Sequence, residues 1–255
     1  MRNRICFLCE DTPDGVFTAI YDIWAARILR DEFFVRVDRQ HAIQLFVDYE
    51  YIKTDIDKAL KVIRSLRQKI GPEVCDWVYH AALSYEEDKV DCIYDFLKLA
   101  FRYGTKVTKM HGESTVCRMY ELERNVGNET HMFCQFIRFR ESQEGILISR
   151  INPKNQVLPL LAEHFSDRFL NEDFVILDEN YQMGLFHPRK MDWYLAPLQR
   201  DVLEHLWERG QSAQYERLWR TFFQNIGIAE RSNYQCQRNM CAIRYRDYMT
   251  EFHGA

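Results

Sequence analysis

The sequence predicts an α+β fold, a helix-rich single unit around one small mixed or antiparallel sheet. Three observations indicate this class: apolar residues make up 47% of the 255 positions, glycine and proline are scarce, and helix-period segments alternate with short β-branched runs. We expect one domain over residues 1–255, because no linker or repeat interrupts the chain. Within it, residues 1–125 would be mainly helical, and residues 126–255 would hold a hairpin and C-terminal helices.

The first half of the chain alternates predicted strands and helices. Residues 5–9 have the apolar character of a buried strand, and the turn after them lets Asp14 cap a helix. Residues 54–57 and 84–87 resemble capping boxes, which open two further helices. The predicted strands are residues 5–9, 33–37 and 43–52, and the predicted helices are residues 15–29, 54–70, 72–83 and 84–103.

A hairpin at 136–151 is the central prediction for the second half of the chain. It pairs residues 136–140 with residues 146–151 across a short turn. Side-chain alternation would place Arg138 and Arg140 on one face of its first strand. The other predicted elements are helices at residues 114–125, 158–169, 199–209, 213–224 and 230–252, and a strand at residues 174–177 that ends in Asp178.

Bulk properties exclude several classes of protein. The chain has no apolar run long enough for a transmembrane helix, and its basic first residues precede an apolar stretch too short for a signal peptide. We therefore expect a cytoplasmic protein without a membrane partner. The eight cysteines are scattered along the chain and are interpreted as reduced, mostly buried thiols.

Familiar metal and cofactor motifs are not found in the sequence. Cys6 and Cys9 form a Cys-x-x-Cys pair, but on a strand that spacing places them on opposite faces, and no second pair completes four ligands. A Gly-rich phosphate loop, a Gly-x-Ser-x-Gly elbow and a His-Glu-x-x-His motif are also missing. We therefore predict neither a metal site nor a bound cofactor.

The distribution of charge is more informative than the net charge of −4. Residues 216–247 hold six arginines, no lysine and three acidic residues, so this segment has a net charge of +3. Arginine favours directed hydrogen bonds to phosphate or carboxylate over diffuse attraction. A solvated helix face would explain the same pattern.

Several polar side chains that could bind an anion occur within the mainly apolar segment from residue 129 to residue 169. His164 and Arg168 are four residues apart on a predicted helix, so they could hold one anion together. Arg138 and Arg140 alternate with an aromatic ring on a predicted strand, which suits stacking on bases; a sheet face turned to water is the alternative. The predicted phosphate-binding residues of this segment are His131, Arg138, Asn155, His164 and Arg168.

A second predicted group of phosphate-binding residues lies near the end of the chain and consists of Arg231, Asn233, Gln237 and Arg238. Guanidinium groups beside side-chain amides are suited to gripping phosphates or reading bases. A helix start capped by Ser232 or Asn233 would explain part of this pattern.

Four residues are candidates for acid–base chemistry. Glu129 and Asp178 would act as bases, and His131 and His164 as acids, since a histidine near a carboxylate can transfer protons at neutral pH. For Glu129 and His131, a salt bridge at a helix end is the alternative.

Short motifs spread over nearly the whole chain form an ordered set. They are Phe7 and Leu8 with residues 14–21; Thr54, Asp55, Lys58 and Ala59; Glu129, His131, Phe136, Arg138 and Phe139; Pro153, residues 157–161, His164, Phe165, Arg168 and Phe169; and Asp178, Trp219, Phe223, Ile226, Ile228, Arg231, Asn233, Gln237, Arg238, Arg244, Tyr245, Thr250 and Glu251. The set resembles a family of bacterial DNA-repair or DNA-metabolism proteins that accompany a radical S-adenosylmethionine protein of DNA modification and repair. Elsewhere the same domain of unknown function is fused to a uracil-DNA glycosylase-like domain.

The sequence departs from that family's pattern at three places. Met132 stands where a basic residue is common, Cys241 and Ala242 stand where a Met-Pro pair is usual, and the arginine often found near Tyr181 is missing. The first and third departures weaken a phosphate-binding role at positions 132 and 181.

The resemblance implies a pathway rather than a reaction. It predicts an accessory nucleic-acid-binding protein of DNA repair, with DNA and the radical S-adenosylmethionine protein as partners. Two alternatives stay open: an enzyme that acts on nucleic acid or a nucleotide with a His/carboxylate pair, and a protein–protein scaffold that does not bind nucleic acid.

Overall fold

The computed structural model describes residues 4–40, 44–210, 213–226 and 233–252. Helices and two small sheets make up the described chain, which confirms the predicted α+β class but replaces the one predicted sheet with two. The chain divides into two compact units, Met1–Gly127 and Asn128–Ala255, each with its own sheet. The expectation that the whole chain is one domain stays a prediction.

The first unit is built on a three-stranded parallel sheet. Its strands are β1 (Arg4–Cys9), β2 (Phe33–Val37) and β3 (Val47–Ile52), and its helices are α1 (Pro13–Ala26), α2 (Ile56–Lys69), α3 (Pro72–Ala82) and α4 (Lys89–Tyr103). The strand order is β2-β1-β3, so β1 is central and pairs in parallel with both neighbours. The boundary between the two units falls within the next helix, α5 (Ser114–Phe136).

Helices of the first unit begin at residues with suitable capping chemistry. The hydroxyl of Thr12, rather than the predicted Asp14, accepts a hydrogen bond from the N–H of Gly15 at 3.0 Å and caps α1. Asp55 caps α2 by accepting from the N–H groups two and three residues later. A Cβ at Gly15 would lie 2.4 Å from the Glu10 carbonyl oxygen, so glycine allows α1 to start close to the end of β1.

The core of the first unit brings together side chains from the sheet and the helices. Its fully buried members include Val16, Phe17, Phe33, Val35, Leu66, Val74, Ile93, Phe96 and Leu97. Cys6 and Cys9 of β1 are both buried, and burial raises the pKa of Cys6 to about 11 and that of Cys9 to about 12. The thiolate, which is the form that binds metals, is therefore disfavoured at both positions.

The second unit is built on a five-stranded sheet of order β4-β5-β6-β7-β8. Its strands are β4 (Arg140–Glu141), β5 (Leu147–Ile151), β6 (Phe174–Asp178), β7 (Met183–His187) and β8 (Tyr194–Pro197). The β5–β6 pair is parallel and the other three pairs are antiparallel. The helices after α5 are α6 (Leu158–Arg168), α7 (Arg200–Glu208), α8 (Ala213–Ile226), α9 (Tyr234–Met240) and α10 (Ile243–Arg246).

The predicted hairpin is present but shorter than expected. The sequence analysis ended a helix at residue 125 and began a strand at residue 136, whereas α5 continues to Phe136 and β4 has two residues. The physical reason is helical periodicity, since Val126, Glu129 and Phe133 are all buried at spacings of three and four. Phe136 and Arg138 therefore do not share a strand face with Arg140, and β7 and β8 are strands that were not predicted.

The two faces of the five-stranded sheet carry different helices. One face packs on α6 through Ile151, Phe174, Ile176 and Leu185. The other face packs on α7 through Ile148, Val175 and Leu177. Arg140 lies opposite Ile148 in the ladder, and Arg150 follows two residues later, so both arginines extend from the α7 face.

Candidate anion-binding site

A polar pocket of about 440 Å³ opens in the second unit, within the size range of small-ligand sites. Three arginines reach it from adjacent segments: Arg138 from the segment between α5 and β4, Arg140 from β4 and Arg150 from β5. The remaining lining residues are Asn152, Glu179, Trp207, Asp247, Tyr248 and Thr250. We call this set the arginine pocket.

The sheet and α7 together hold two of these guanidinium groups in place. Arg140 and Arg150 are diagonal neighbours across the β4–β5 pair, because Arg140 lies opposite Ile148. Both stack on the indole of Trp207, with guanidinium carbons 4.1 Å and 4.7 Å from the ring centroid. Such cation–π contacts fix the planes of the guanidinium groups without consuming their N–H donors.

Arg138 is committed to the protein more fully than the other two arginines. Its Nη2 donates to Oε1 of Glu251 at 2.9 Å, and the Glu251 side chain is 2% exposed. Its Nη1 donates to the carbonyl oxygens of Gln135 and Ile137, and its guanidinium carbon lies 5.8 Å from the ring centroid of Trp219. Arg138 thus lines the pocket, but its charge is paired with Glu251 and its terminal nitrogens already donate to protein oxygens.

Arg140 and Arg150 keep donors that no described residue accepts. The Nε of Arg140 pairs with Glu216 at 2.8 Å, and the Nη1 of Arg150 pairs with Glu179 at 3.2 Å and Glu204 at 3.7 Å. Within the described ranges, the other two nitrogens of each guanidinium group make no hydrogen bond to protein. These N–H groups are suited to a phosphate or carboxylate entering the pocket.

Tyr248 contributes a phenol to the same pocket. Burial raises its pKa to about 12, with Glu179 and Asp247 also raising it. The hydroxyl group therefore remains protonated at neutral pH and can donate or accept a hydrogen bond.

Glu129 and Asn155, two residues predicted for the site, face the interior of the second unit and lie away from the arginine pocket. The buried Glu129 carboxylate accepts hydrogen bonds from the N–H groups of Lys154 and Asn155, at 3.1 and 2.8 Å, and from the Asn155 side chain at 2.6 Å. Arg244 completes the cluster with an ion pair of 2.9 Å. This geometry clamps the segment after β5 onto α5.

His131, His164 and Arg168 are exposed and do not line the arginine pocket. His131 Nε2 lies 2.7 Å from the side-chain nitrogen of Gln135, one turn along α5. His164 and Arg168 lie on α6, on the sheet face opposite to that of Arg140 and Arg150, and each packs on the phenylalanine that follows it. Of the predicted residues that the structure describes, only Arg138 lines this pocket, and the binding roles of the others stay predictions.

The four candidates for acid–base chemistry are not paired with one another. Asp178 is 1% exposed, and its Oδ1 accepts from the N–H groups of Asn180 and Tyr181 to close the turn after β6. Within the described chain, His131 and His164 are not bonded to any carboxylate. The predicted salt bridge between Glu129 and His131 is absent among these residues because one side chain points inward and the other outward.

The second predicted group lies on α9 and beside it. Asn233 caps α9 by accepting from the N–H of Cys236 at 2.9 Å, as the capping alternative predicted. Gln237 and Arg238 are exposed on the same short helix, and Arg231 lies outside the described residues.

Two kinds of feature are missing from the part of the chain that the structure describes. No group of three or more His, Cys, Asp or Glu side chains there is arranged to hold a metal ion. No helix there combines the length and apolar character that crossing a membrane requires.

Sequence reasoning missed Arg150, Trp207 and Tyr248 as pocket residues. The signal for Arg150 was weak but present, since it is the one arginine in the predicted strand 146–151, which was predicted to pair with the strand of Arg140. Trp207 and Tyr248 are brought to the pocket by contacts between segments far apart in the chain, which local patterns do not reveal.

Comparison with known proteins finds a match to one family, whose function is not assigned. The family model described as a domain of unknown function, DUF4130, matches residues 87–251. No curated protein matches the sequence. A solved structure titled as a member of the s1p family of ribosomal proteins, DHH domain, is similar with a TM-score of 0.32 and 8% identity over 72% of this chain and 73% of that one.

Proposed function

This chain belongs to the DUF4130 family, and we propose that it binds nucleic acid through the arginine pocket as an accessory protein of DNA repair or DNA metabolism. One observation carries the proposal: Arg140 and Arg150 present N–H donors that no described residue accepts, beside an indole, a phenol and the exposed side-chain amide of Asn152. All pocket residues fall within the residues that match the family.

Directed hydrogen bonding supports this ligand class better than bulk charge does. Glu216, Glu179 and Glu204 already neutralise much of the charge of the two arginines, so a diffuse positive field is not what the pocket offers. Fixed guanidinium planes instead suit the bidentate recognition of a phosphate. The neighbouring amide and phenol add groups that can hydrogen-bond to a sugar or a base edge.

The exposed residues outside the pocket would extend contact along a nucleic acid backbone. Gln237 and Arg238 on α9 are available to solvent for that purpose, whereas His164 and Arg168 on α6 lie on the opposite face of the sheet and would form a separate contact. They are weaker candidates, because each would contribute a single exposed contact rather than part of a formed cavity.

The test is salt-dependent binding of fluorescently labelled single- and double-stranded DNA. Arg150→Ala removes one donor group while leaving Glu179 and Glu204 30% and 47% exposed, so water can solvate both carboxylates. We expect affinity at low salt to fall about tenfold, the worth of one charged hydrogen bond, and the slope against log salt to decrease by about one.

Arg189→Ala is the matched control, because Arg189 is exposed in the same unit but does not line the pocket. Its DNA affinity should equal that of the wild type. Failure of the wild-type protein to bind DNA at low salt, or equal affinities for the Arg150 and Arg189 variants, would contradict the proposal.

We also propose a cytoplasmic location, and the family resemblance supports a radical S-adenosylmethionine protein of DNA modification and repair as the partner. Co-purification of the two proteins that persists after nuclease treatment, in the absence of any DNA binding, would instead favour the scaffold alternative.

A further inference from the structure

An apolar groove of about 550 Å³ lies in the first unit between α1, α2 and α4. Tyr21 and Trp24 reach it from α1, and Leu97 and Phe101 reach it from α4, one helical turn apart in each case. Trp24 is 39% exposed and Phe101 is 41% exposed, although their rings pack against each other at 5.5 Å. Large aromatic side chains left half-exposed side by side are typical of a binding surface.

Two lysines of α2 border this groove without a carboxylate. Lys61 and Lys69 line it, and no Asp or Glu does. Among the described residues, neither lysine makes an ion pair; Lys61 only approaches the ring of Tyr21, at 5.8 Å from its centroid. The neighbouring Lys58 differs, because it is paired with Asp22 at 2.7 Å. The groove therefore combines an apolar floor with two uncompensated positive charges.

The distance between the two lysines indicates what kind of ligand could contact both of them. They are eight residues apart on α2, which corresponds to about 12 Å along the helix axis. A small carboxylate would reach only one of them. An occupant helix lying along α2 would reach both with acidic side chains seven or eight residues apart.

We propose that this groove binds an acidic amphipathic helix of a partner protein. The apolar face of that helix would pack on Trp24, Phe101 and Val62, and its acidic flank would pair with Lys61 and Lys69. This surface belongs to the first unit and is independent of the DNA binding proposed above.

The test uses the full chain and a designed, labelled helical peptide of about 18 residues, long enough to run past both lysines. It carries leucines at helical spacing and glutamates eight residues apart; a second peptide has lysines in place of the glutamates. Fluorescence anisotropy should show saturable binding of the acidic peptide to the wild-type protein and at least about tenfold weaker binding of the lysine peptide.

Charge reversal provides the decisive variant. Lys61→Glu with Lys69→Glu should weaken the acidic peptide about tenfold and strengthen the lysine peptide, because the sign of the flank is exchanged. Both lysines are exposed, so circular dichroism should show an unchanged fold. Lys109→Glu, an exposed lysine of the same unit outside the groove, should bind both peptides as the wild type does.

Several outcomes would overturn the proposal. If the acidic peptide does not bind, or binds the Lys61→Glu, Lys69→Glu variant as tightly as the wild type, the groove is not a site for an acidic helix. A concentration-dependent dimer in analytical ultracentrifugation that is lost in the double variant assigns the groove to a second copy. Displacement of the acidic peptide by micromolar decanoate assigns it to a small amphiphilic anion instead.

Discussion

The buried cation Lys89 in the first unit and the buried anion Glu129 in the second unit are held in different ways. Lys89 is 1% exposed and Glu129 is 3% exposed. Their counter-ions differ, since the Asp11 side chain is 8% exposed and that of Arg244 is 45% exposed. The comparison teaches that a buried charge can be stabilised either by a buried counter-ion or by hydrogen bonds that include the backbone. The two arrangements differ in which buried polar groups lose their partner when one residue is replaced.

The ammonium group of Lys89 uses all three of its donors. It donates to Asp11 Oδ1 at 2.6 Å and to the carbonyl oxygens of Ala82 and Ser84 at 2.9 and 2.8 Å. The lysine thereby ties the start of α4 to the end of α3 and to the segment after β1. Glu129, by contrast, takes three hydrogen bonds from residues 154–155, and Arg244 only adds to them.

Replacement of the buried lysine should have the largest effect. Lys89→Met removes the charged donor that the Asp11 carboxylate and two carbonyl oxygens share, in a buried environment. We expect the free energy of unfolding to fall by about 3–5 kcal/mol, measured by urea denaturation.

Lys98→Met on the same helix is the matched control. Lys98 Nζ and Asp95 Oδ1 are 3.8 Å apart, and the two side chains are 43% and 34% exposed. The free energy of unfolding should therefore fall by less than about 1 kcal/mol. Equal losses for the two methionine variants would remove the distinction between the buried and the exposed pair.

Glu129→Gln should have an intermediate effect. The amide keeps the shape of the carboxylate but turns an NH₂ group toward donors that the oxygen had satisfied, which should cost about 2–3 kcal/mol. Arg244→Ala should cost about 1 kcal/mol or less, because the arginine is 45% exposed and the backbone donors to Glu129 remain. The comparison fails if urea denaturation shows that Arg244→Ala is as damaging as Glu129→Gln.

The smallest effect concerns alkaline pH and the phenol of the arginine pocket. Burial raises the pKa of Tyr248 to about 12, whereas an unfolded tyrosine ionises near pH 10. The neutral phenol therefore favours the folded state fully below about pH 10, and that contribution is lost as the pH rises toward 12. Phenolate absorbance of the wild type minus that of Tyr248→Phe should show one group with a midpoint near 12; a midpoint near that of free tyrosine would show an exposed phenol.

Local sequence signals predicted most helices and the strands of the first unit. Asp55 before an amphipathic run and Pro72 after a glycine each mark a helix start in this chain, and both signals are visible in the sequence because capping and φ preferences are local. The periodicity of α5 was underestimated because Asn125 and Gly127 resemble a helix end, although packing on Val126 and Phe133 overrides their weak propensities.

The candidate site was predictable only in part, for reasons of distance along the chain. Arg138 was found because it stands in a suggestive local pattern, but its partner Glu251 lies 113 residues later. Glu129 was interpreted as a candidate base, since its sequence neighbours do not show that the backbone at residues 154–155 folds onto it. Charges identify candidates in a sequence, but only tertiary contacts decide which of them are already satisfied.

The central position of β1 has a consequence for synthesis on the ribosome. Both of its partners lie later in the chain, so β1 has no complete neighbour until Val37 has been made and lacks the second until Ile52 has been made. During that interval its hydrogen-bonding edges and its apolar side chains face solvent. The central strand of the finished sheet is therefore, in the nascent chain, a segment open to unwanted strand pairing.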